Sequence, residues 1–410
     1  MRRPSPWLIL VIILLGVLIL RESRLQRVED RFLGWFTQHS EAALPPAAVT
    51  QVEIGRDDIQ RMTPAEQLKP LPQGEAARRS LSPLEYALFL QGVLDFHPEV
   101  IGIEPILVWR DQDKTQEQVF IDQAMRVPKL LVALELGGKG AHDLSVEDLP
   151  VLPNVSGSRR NLEQFTGIGR QPDDDIRLIS TPGLISAPNE RGDRLRVPML
   201  FEYRGEIVPS FPLQAIMLWL RATPADVKVQ LGKQIILPNG WKIPLHSDGT
   251  TTMNPAARGC VHRLSLNELL LAAQEREQHR PLSRDLEDLK DQIILLRVAD
   301  DPLQPPNILA TTIATIQNSA YLHPAPAALS WIIILCAALL ACFLWMISRV
   351  NLFLWAIVFT SGYAMVALAM LGRHRIWIPT FLTLALLWSL VLIRLASGGA
   401  AMKHEIAATG

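Results

Sequence analysis

The chain has 410 residues, a formal net charge of −1, 49% hydrophobic content and three cysteines. Near-zero net charge gives no general electrostatic case for a nucleic-acid partner, because such binding rests on neutralising phosphates. Cys336 and Cys342 share one apolar run and Cys260 stands alone, so the polar part holds neither a disulfide framework nor a paired-cysteine metal site.

The apolar residues are unevenly placed. A short run, residues 7–20, opens the chain, and three runs, 329–347, 352–371 and 376–393, close it. Each of the last three approaches the roughly 20 residues that cross a bilayer core. Arg2 and Arg3 precede the first run as in a secretory signal, but Arg21-Glu22-Ser23-Arg24 succeeds it in place of a small-residue cleavage site. It reads as an uncleaved signal anchor of marginal length, with Arg21 and Arg24 placed to snorkel. Trp331, Trp345, Trp355 and Trp377 stand near the ends of the closing runs, where interface anchors belong. Pro379 falls in the first turn of the last run, where it removes no helix bond. The short connectors 348–351 and 372–375 predict tight hairpins and a compact antiparallel bundle, which the first run could join. No charge interrupts the interior of a run, which argues against a transporter. The Lys/Arg balance is a tie between the two orientations, and the signal-like start favours export of the polar block.

In the polar block, residues 24–37 repeat apolar side chains at helical spacing and predict a juxtamembrane helix. Residues 49–54 predict a strand. Ser82-Pro83-Leu84-Glu85 starts a helix, with proline at the first helical position and an acid in the first turn. Residues 100–107 predict a buried strand, 115–125 a helix and 129–134 another buried strand. Strand, helix, strand, helix, strand predicts a parallel, Rossmann-like core. The second half predicts a hairpin about Arg204-Gly205, a helix over 212–221 and a hairpin about Pro238-Asn239-Gly240. It then predicts a helix opened by the capping box Ser265–Glu268, a buried strand over 292–298 and a helix over 308–321.

The order of these segments resembles the CHASE domain of the second type, an extracellular sensing domain associated with cyclases and histidine kinases. The segments that carry the resemblance are VEIGRDDI (52–59), FHPEVIGIEP (96–105), LLVAL (130–134), PSFPLQA (209–215), WKIPLHSDG (241–249), RLSLNELL (263–270), DQIILL (291–296) and ATTIATIQN (310–318). They cover about residues 24–323. Glu104 stands where an aspartate is common in this family, and Arg297 where a glycine commonly ends the strand. The resemblance implies one membrane segment before the domain and three after it, with the domain outside the cell. Members usually continue into a catalytic output domain, whereas about 17 residues follow the last run here; the chain is therefore expected to act through a separate kinase or cyclase.

No catalytic constellation is visible, and the chain is not expected to be an enzyme or to hold a cofactor or metal. Gly137-Gly138-Lys139-Gly140 follows a strand but lacks phosphate-loop spacing and reads as a turn. Asp173-Asp174-Asp175 reads as a solvated acidic loop before a calcium site. His246 and His262, flanking Asp248, read as surface histidines before a catalytic pair. The best ligand-binding candidates are Asp57, Asp58 and Glu104, expected at the ends of adjacent strands, where open α/β sheets place ligands; the competing reading is loop or capping carboxylates.

The expected organisation is a signal anchor (1–23), an extracytoplasmic α/β sensor domain with a Rossmann-like mixed sheet (24–327), a three-helix transmembrane bundle (328–395) and a cytoplasmic tail (396–410). The four transmembrane helices, one N-terminal and three C-terminal, would hold it as a multi-pass protein of the inner membrane. The function expected is a sensory input protein responding to a small-molecule stimulus, with homo-oligomerisation left open. The alternative is an extracytoplasmic scaffold that senses nothing.

Overall fold

The computed structural model describes residues 6–21, 23–39, 44–55, 81–109, 114–138, 144–186, 195–280, 286, 289–298, 307–344 and 349–393. The chain divides into two compact units: Leu44–Tyr321, and Met1–Ala43 together with Leu322–Gly410.

Helix α1 (Pro6–Arg21) is the first apolar run, about 24 Å long at 1.5 Å per residue. Helix α2 (Ser23–His39) is the predicted juxtamembrane helix, with Leu33 and Phe36 buried and Trp35 exposed.

The larger unit opens with β1 (Val49–Ile54), α3 (Pro83–Leu94), β2 (Val100–Ile103), α4 (Lys114–Ala124) and β3 (Leu130–Gly137), the alternation expected from the sequence. The Ser82 backbone N–H donates to the Glu85 carboxylate at 2.6 Å, fixing the start of α3. β2 is shorter than predicted: Pro105 has no N–H to donate, so the ladder stops after the Glu104 N–H reaches Leu296 O at 3.0 Å. The chain continues through β4 (Asn154–Ser156), β5 (Gln164–Phe165), β6 (Gly167–Arg170), the one-turn α5 (Asp174–Leu178), β7 (Thr181–Ser186), β8 (Arg196–Pro198), β9 (Leu200–Tyr203), β10 (Glu206–Pro209) and α6 (Phe211–Trp219). β9 and β10 form the predicted hairpin, and Arg204 (φ 51°) and Gly205 (φ 87°) supply the positive φ such a turn needs. β11 (Lys228–Gln230), β12 (Gln234–Ile236), β13 (Lys242–Pro244), β14 (Thr250–Thr252), β15 (His262–Ser265), α7 (Leu266–Glu277), β16 (Ile293–Val298) and α8 (Ile308–Gln317) complete the unit. β12 and β13 are the second predicted hairpin, and the Ser265 hydroxyl caps α7 by accepting from the Glu268 N–H at 3.2 Å.

Six strands run parallel in the order β15-β1-β16-β2-β3-β7, and β6 joins the end of β3 antiparallel. The expected parallel core is present, but its three early strands are not successive neighbours. β16 inserts between β1 and β2, and the strand β15 was not foreseen from the sequence. Alternate side chains enter two cores. Val52, Ile54, Ile101, Ile103, Val132 and Ile294 pack with α3, α4 and α7. Val49, Val100, Leu131, Ala133, Ile293 and Leu295 pack with α6 and α8. On the second face Phe211 fills a notch left by two glycines: a Cβ on Gly183 would lie 2.3 Å from its ring, and one on Gly102 3.1 Å. Smaller sheets, β10-β9-β5, β13-β12-β11-β4 and β14-β8, flank this frame.

The smaller unit contains β17 (His323–Pro324), α9 (Ala327–Leu344), α10 (Arg349–His374), β18 (Ile376–Trp377) and α11 (Thr380–Ile393). The last apolar run does not start as a helix. Its first two residues are β18, paired in parallel with β17, and the short connector still turns α11 back antiparallel along α10, with Leu352 and Ala356 packed against Leu387 and Val391. Ile19 of α1, Ile334 and Ala338 of α9, and Leu382, Leu386 and Leu390 of α11 share one core, so the first run does join the closing helices. Gly16 permits this close approach: a Cβ there would stand 2.8 Å from Ile334. Among the described residues one helix, Asn351–Arg373, is long and apolar enough to cross a membrane by length and composition; the other apolar helices are shorter.

Candidate functional site

The strand register assembles a charged row at the carboxyl ends of β1, β16 and β2. Glu53 of β1 is the ladder partner of Arg297 of β16. On the other side of β16, Leu295 partners Gly102 of β2, which places Glu104 level with Arg297. Ladder partners in a parallel pair point to the same face, so an arginine stands between two carboxylates. Arg297 Nη1 lies 3.4 Å from Glu53 Oε1 and donates to Asn307 Oδ1 at 2.8 Å. Asn307, in the left-handed conformation at φ 61°, immediately precedes α8.

The row grades from wet to dry. The Glu53 side chain is 39% exposed and that of Arg297 6%, and Glu104 is 2% exposed. Arg297 Nε has no hydrogen-bond acceptor among the described residues. Gln51, one pleat repeat before Glu53 on the same face, is buried, and neither atom of its amide has a partner among the described residues. Arg263, level with Gln51 on β15, has its guanidinium pKa lowered first by partial burial and then by the neighbouring charges of Arg258 and Arg297, against the pull of Glu53. The edge therefore offers N–H donors, one amide acceptor and carboxylates. That set can hold a small polar molecule by hydrogen bonds. It is not a nucleophile with an adjacent base, the pairing covalent catalysis requires.

Of the three residues singled out from sequence, Glu104 lies in this row. Asp57 and Asp58 fall outside the described residues, three and four positions after the end of β1. Glu53, Arg297, Asn307 and Gln51 were missed. Period-two alternation along β1 and β16 could have put Gln51, Glu53 and Arg297 on one face. Nothing in the sequence says that these strands are neighbours.

The other motifs resolve into local structure. Asp174 pairs with Arg177 at 3.0 Å, and no group of three metal-ligating side chains occurs among the described residues. Gly137 is small because β6 passes close by: a Cβ would meet the Gly169 backbone at 3.0 Å. Lys139 and Gly140 of the same motif lie outside the described residues. His246 Nε2 bonds Thr252 Oγ1 at 2.9 Å, and Asp248 accepts from the Thr250 N–H and hydroxyl, so this region forms a turn. Cys260 is buried, with Sγ 3.6 Å from Leu44 O.

The model of the CHASE2 domain matches residues 10–350. No curated protein and no solved structure matches the chain.

Proposed function

The chain belongs to the CHASE2 domain family, a family of extracellular sensor domains typically found in signalling proteins, and from that premise we propose that it is the sensory input component of an envelope signalling system. In this reading the α/β unit lies outside the cytoplasmic membrane. Helices α1, α9, α10 and α11 anchor it as four spans, and a signalling enzyme such as a kinase or cyclase receives the signal through them. A small polar stimulus is read at the carboxyl edge of the sheet by Glu104, Arg297 and Glu53, with Asp57 and Asp58 on the segment that succeeds β1. The observation that carries this is the row Glu53–Arg297–Glu104 at the strand ends, buried at Arg297 and Glu104, together with Arg297 Nε and the Gln51 amide, which have no hydrogen-bond partner among the described residues. Buried polar groups of this kind are normally matched by a partner, solvent or ligand.

Two experiments test the reading. Cys260 is buried, so topology needs an introduced thiol: Ser158→Cys, at an exposed site, in a chain whose native cysteines are replaced. A membrane-impermeant maleimide should label it in intact cells; labelling only after lysis rejects the extracytoplasmic placement. Thermal-shift screening of the detergent-solubilised chain against small amino acids, carboxylates and polyols should give a stabilising compound whose effect Arg297→Met abolishes. Stabilisation that survives this change moves the site elsewhere.

A further inference from the structure

The smaller unit carries a joint that the sensor reading leaves unassigned. Glu29, Phe32, Leu33 and Phe36 share one face of α2, at the spacing of successive helical turns. That face meets the start of α11. Phe32 meets Phe381 with tilted rings whose centroids lie 6.2 Å apart, and Phe36 meets Trp377 edge-on at 5.7 Å. Between these contacts Glu29 Oε1 accepts the Thr380 N–H at 2.7 Å, and Oε2 accepts the Phe381 N–H at 2.7 Å.

These are the first amides of α11, which have no acceptor within their own helix. Such amides are ordinarily met by a Ser, Thr, Asp or Asn immediately before the helix. Here that position is Pro379, whose side chain accepts nothing. The Thr380 hydroxyl turns back to Ile378 O at 3.1 Å. The cap is supplied from a helix about 350 residues earlier in the chain. A carboxylate at this positive helix end is also favoured by the helix dipole. The same corner is tied to α10: the Tyr363 hydroxyl donates to Pro379 O at 3.0 Å, and the Thr383 hydroxyl lies 3.0 Å from it.

We infer that Glu29 is the joint through which movement of the juxtamembrane helix is passed to the last membrane helix. By capping α11 in trans it makes α2 and α11 move as one body, a positioning role that rests on the reading of these helices as the signal path.

The test uses the full chain in lipid nanodiscs and needs neither ligand nor signalling partner, so its failure would leave the sensor reading standing. Two quantities are measured in Glu29→Ala and Glu29→Gln. The first is amide exchange at Thr380 and Phe381, expected to quicken about tenfold in the alanine variant, and less in the glutamine variant, for loss of a charge-assisted bond. The second is the distance distribution between spin labels at Arg31→Cys and Ser389→Cys with native cysteines replaced, expected to broaden. Pro379→Asp, added to Glu29→Ala, gives α11 a cap of its own. It should restore slow exchange while the distances stay broad, which separates the joint from the cap. Unchanged exchange in both Glu29 variants overturns the proposal. So do distances that stay narrow, or that narrow again with Pro379→Asp. If the alanine variant does not fold, the glutamine variant is judged by the same criteria.

Discussion

At the amino ends of β2 and β3, Glu99 sits between two cations. Lys129 pairs with it, and Arg221 grips it through Nε at 2.9 Å and Nη2 at 3.1 Å. At the carboxyl ends of β1, β16 and β2, Arg297 sits level with two carboxyl side chains. The two clusters share one sheet and differ in completeness. Glu99 is fully engaged, and the Arg221 hydrogen bond, with help from Lys129, lowers its carboxyl pKa to about 2. Arg297 is drier, yet its Nε is left without an acceptor among the described residues. A satisfied ion cluster fastens the start of the strands, while the cluster at their other end, where we propose that the stimulus is read, holds an arginine Nε with no acceptor among the described residues.

The sharpest way to break the comparison is to remove the frame both ends share. Gly183→Leu would drive a side chain into the Phe211 ring, where even a Cβ comes within 2.3 Å. Unfolding of the solubilised chain should show a loss of about 3 kcal/mol from overpacking. Next comes the incomplete end alone. Arg297→Met removes the buried guanidinium that Asn307 and Glu53 engage and should cost about 3 kcal/mol, and Glu104→Gln added to it should recover part of that loss if the Glu104 carboxyl, level with Arg297, is ionised beside it. Full additivity of the two changes would mean that they do not interact.

The complete end should respond less. Glu99→Gln should cost on the order of 1 kcal/mol at neutral pH, since Arg221 is largely exposed and solvent screens the pair. The sign of its pH dependence comes from the lowered pKa. The native state holds Glu99 ionised below the usual value of 4.5, so its contribution is present above 4.5 and is lost as pH falls toward about 2. Wild type and Glu99→Gln should therefore converge in acid denaturation over that window. Smallest is Glu53→Gln: with 39% of that side chain exposed, thermal unfolding should shift by less than about 1 kcal/mol equivalent.

The site was legible only in fragments. Glu104 was found because it comes directly after the apolar run Val100–Ile103, whose end is visible in the sequence. Arg297 ends a run of the same kind, but it drew notice only as a departure from the glycine common there in the family it resembles. Its partner Glu53 lies 244 residues away, and no local pattern links them. The smaller unit behaves alike. The apolar runs and the amphipathic α2 were plain, whereas the β17–β18 ladder and the Glu29 cap were not.

Local sequence dictates what depends on neighbours along the chain. It placed the greasy termini, the strand–helix alternation, the capped starts of α3 and α7, and the two hairpin turns, because hydrophobic period, capping and turn chemistry act over a few residues. Tertiary structure alone decided that β16 lies between β1 and β2, so that Arg297 falls between Glu53 and Glu104. It also decided that a carboxylate on α2 meets amides about 350 residues later. Those choices come from burying both faces of one sheet and from satisfying helix-end amides, conditions that the whole fold meets and no short stretch encodes.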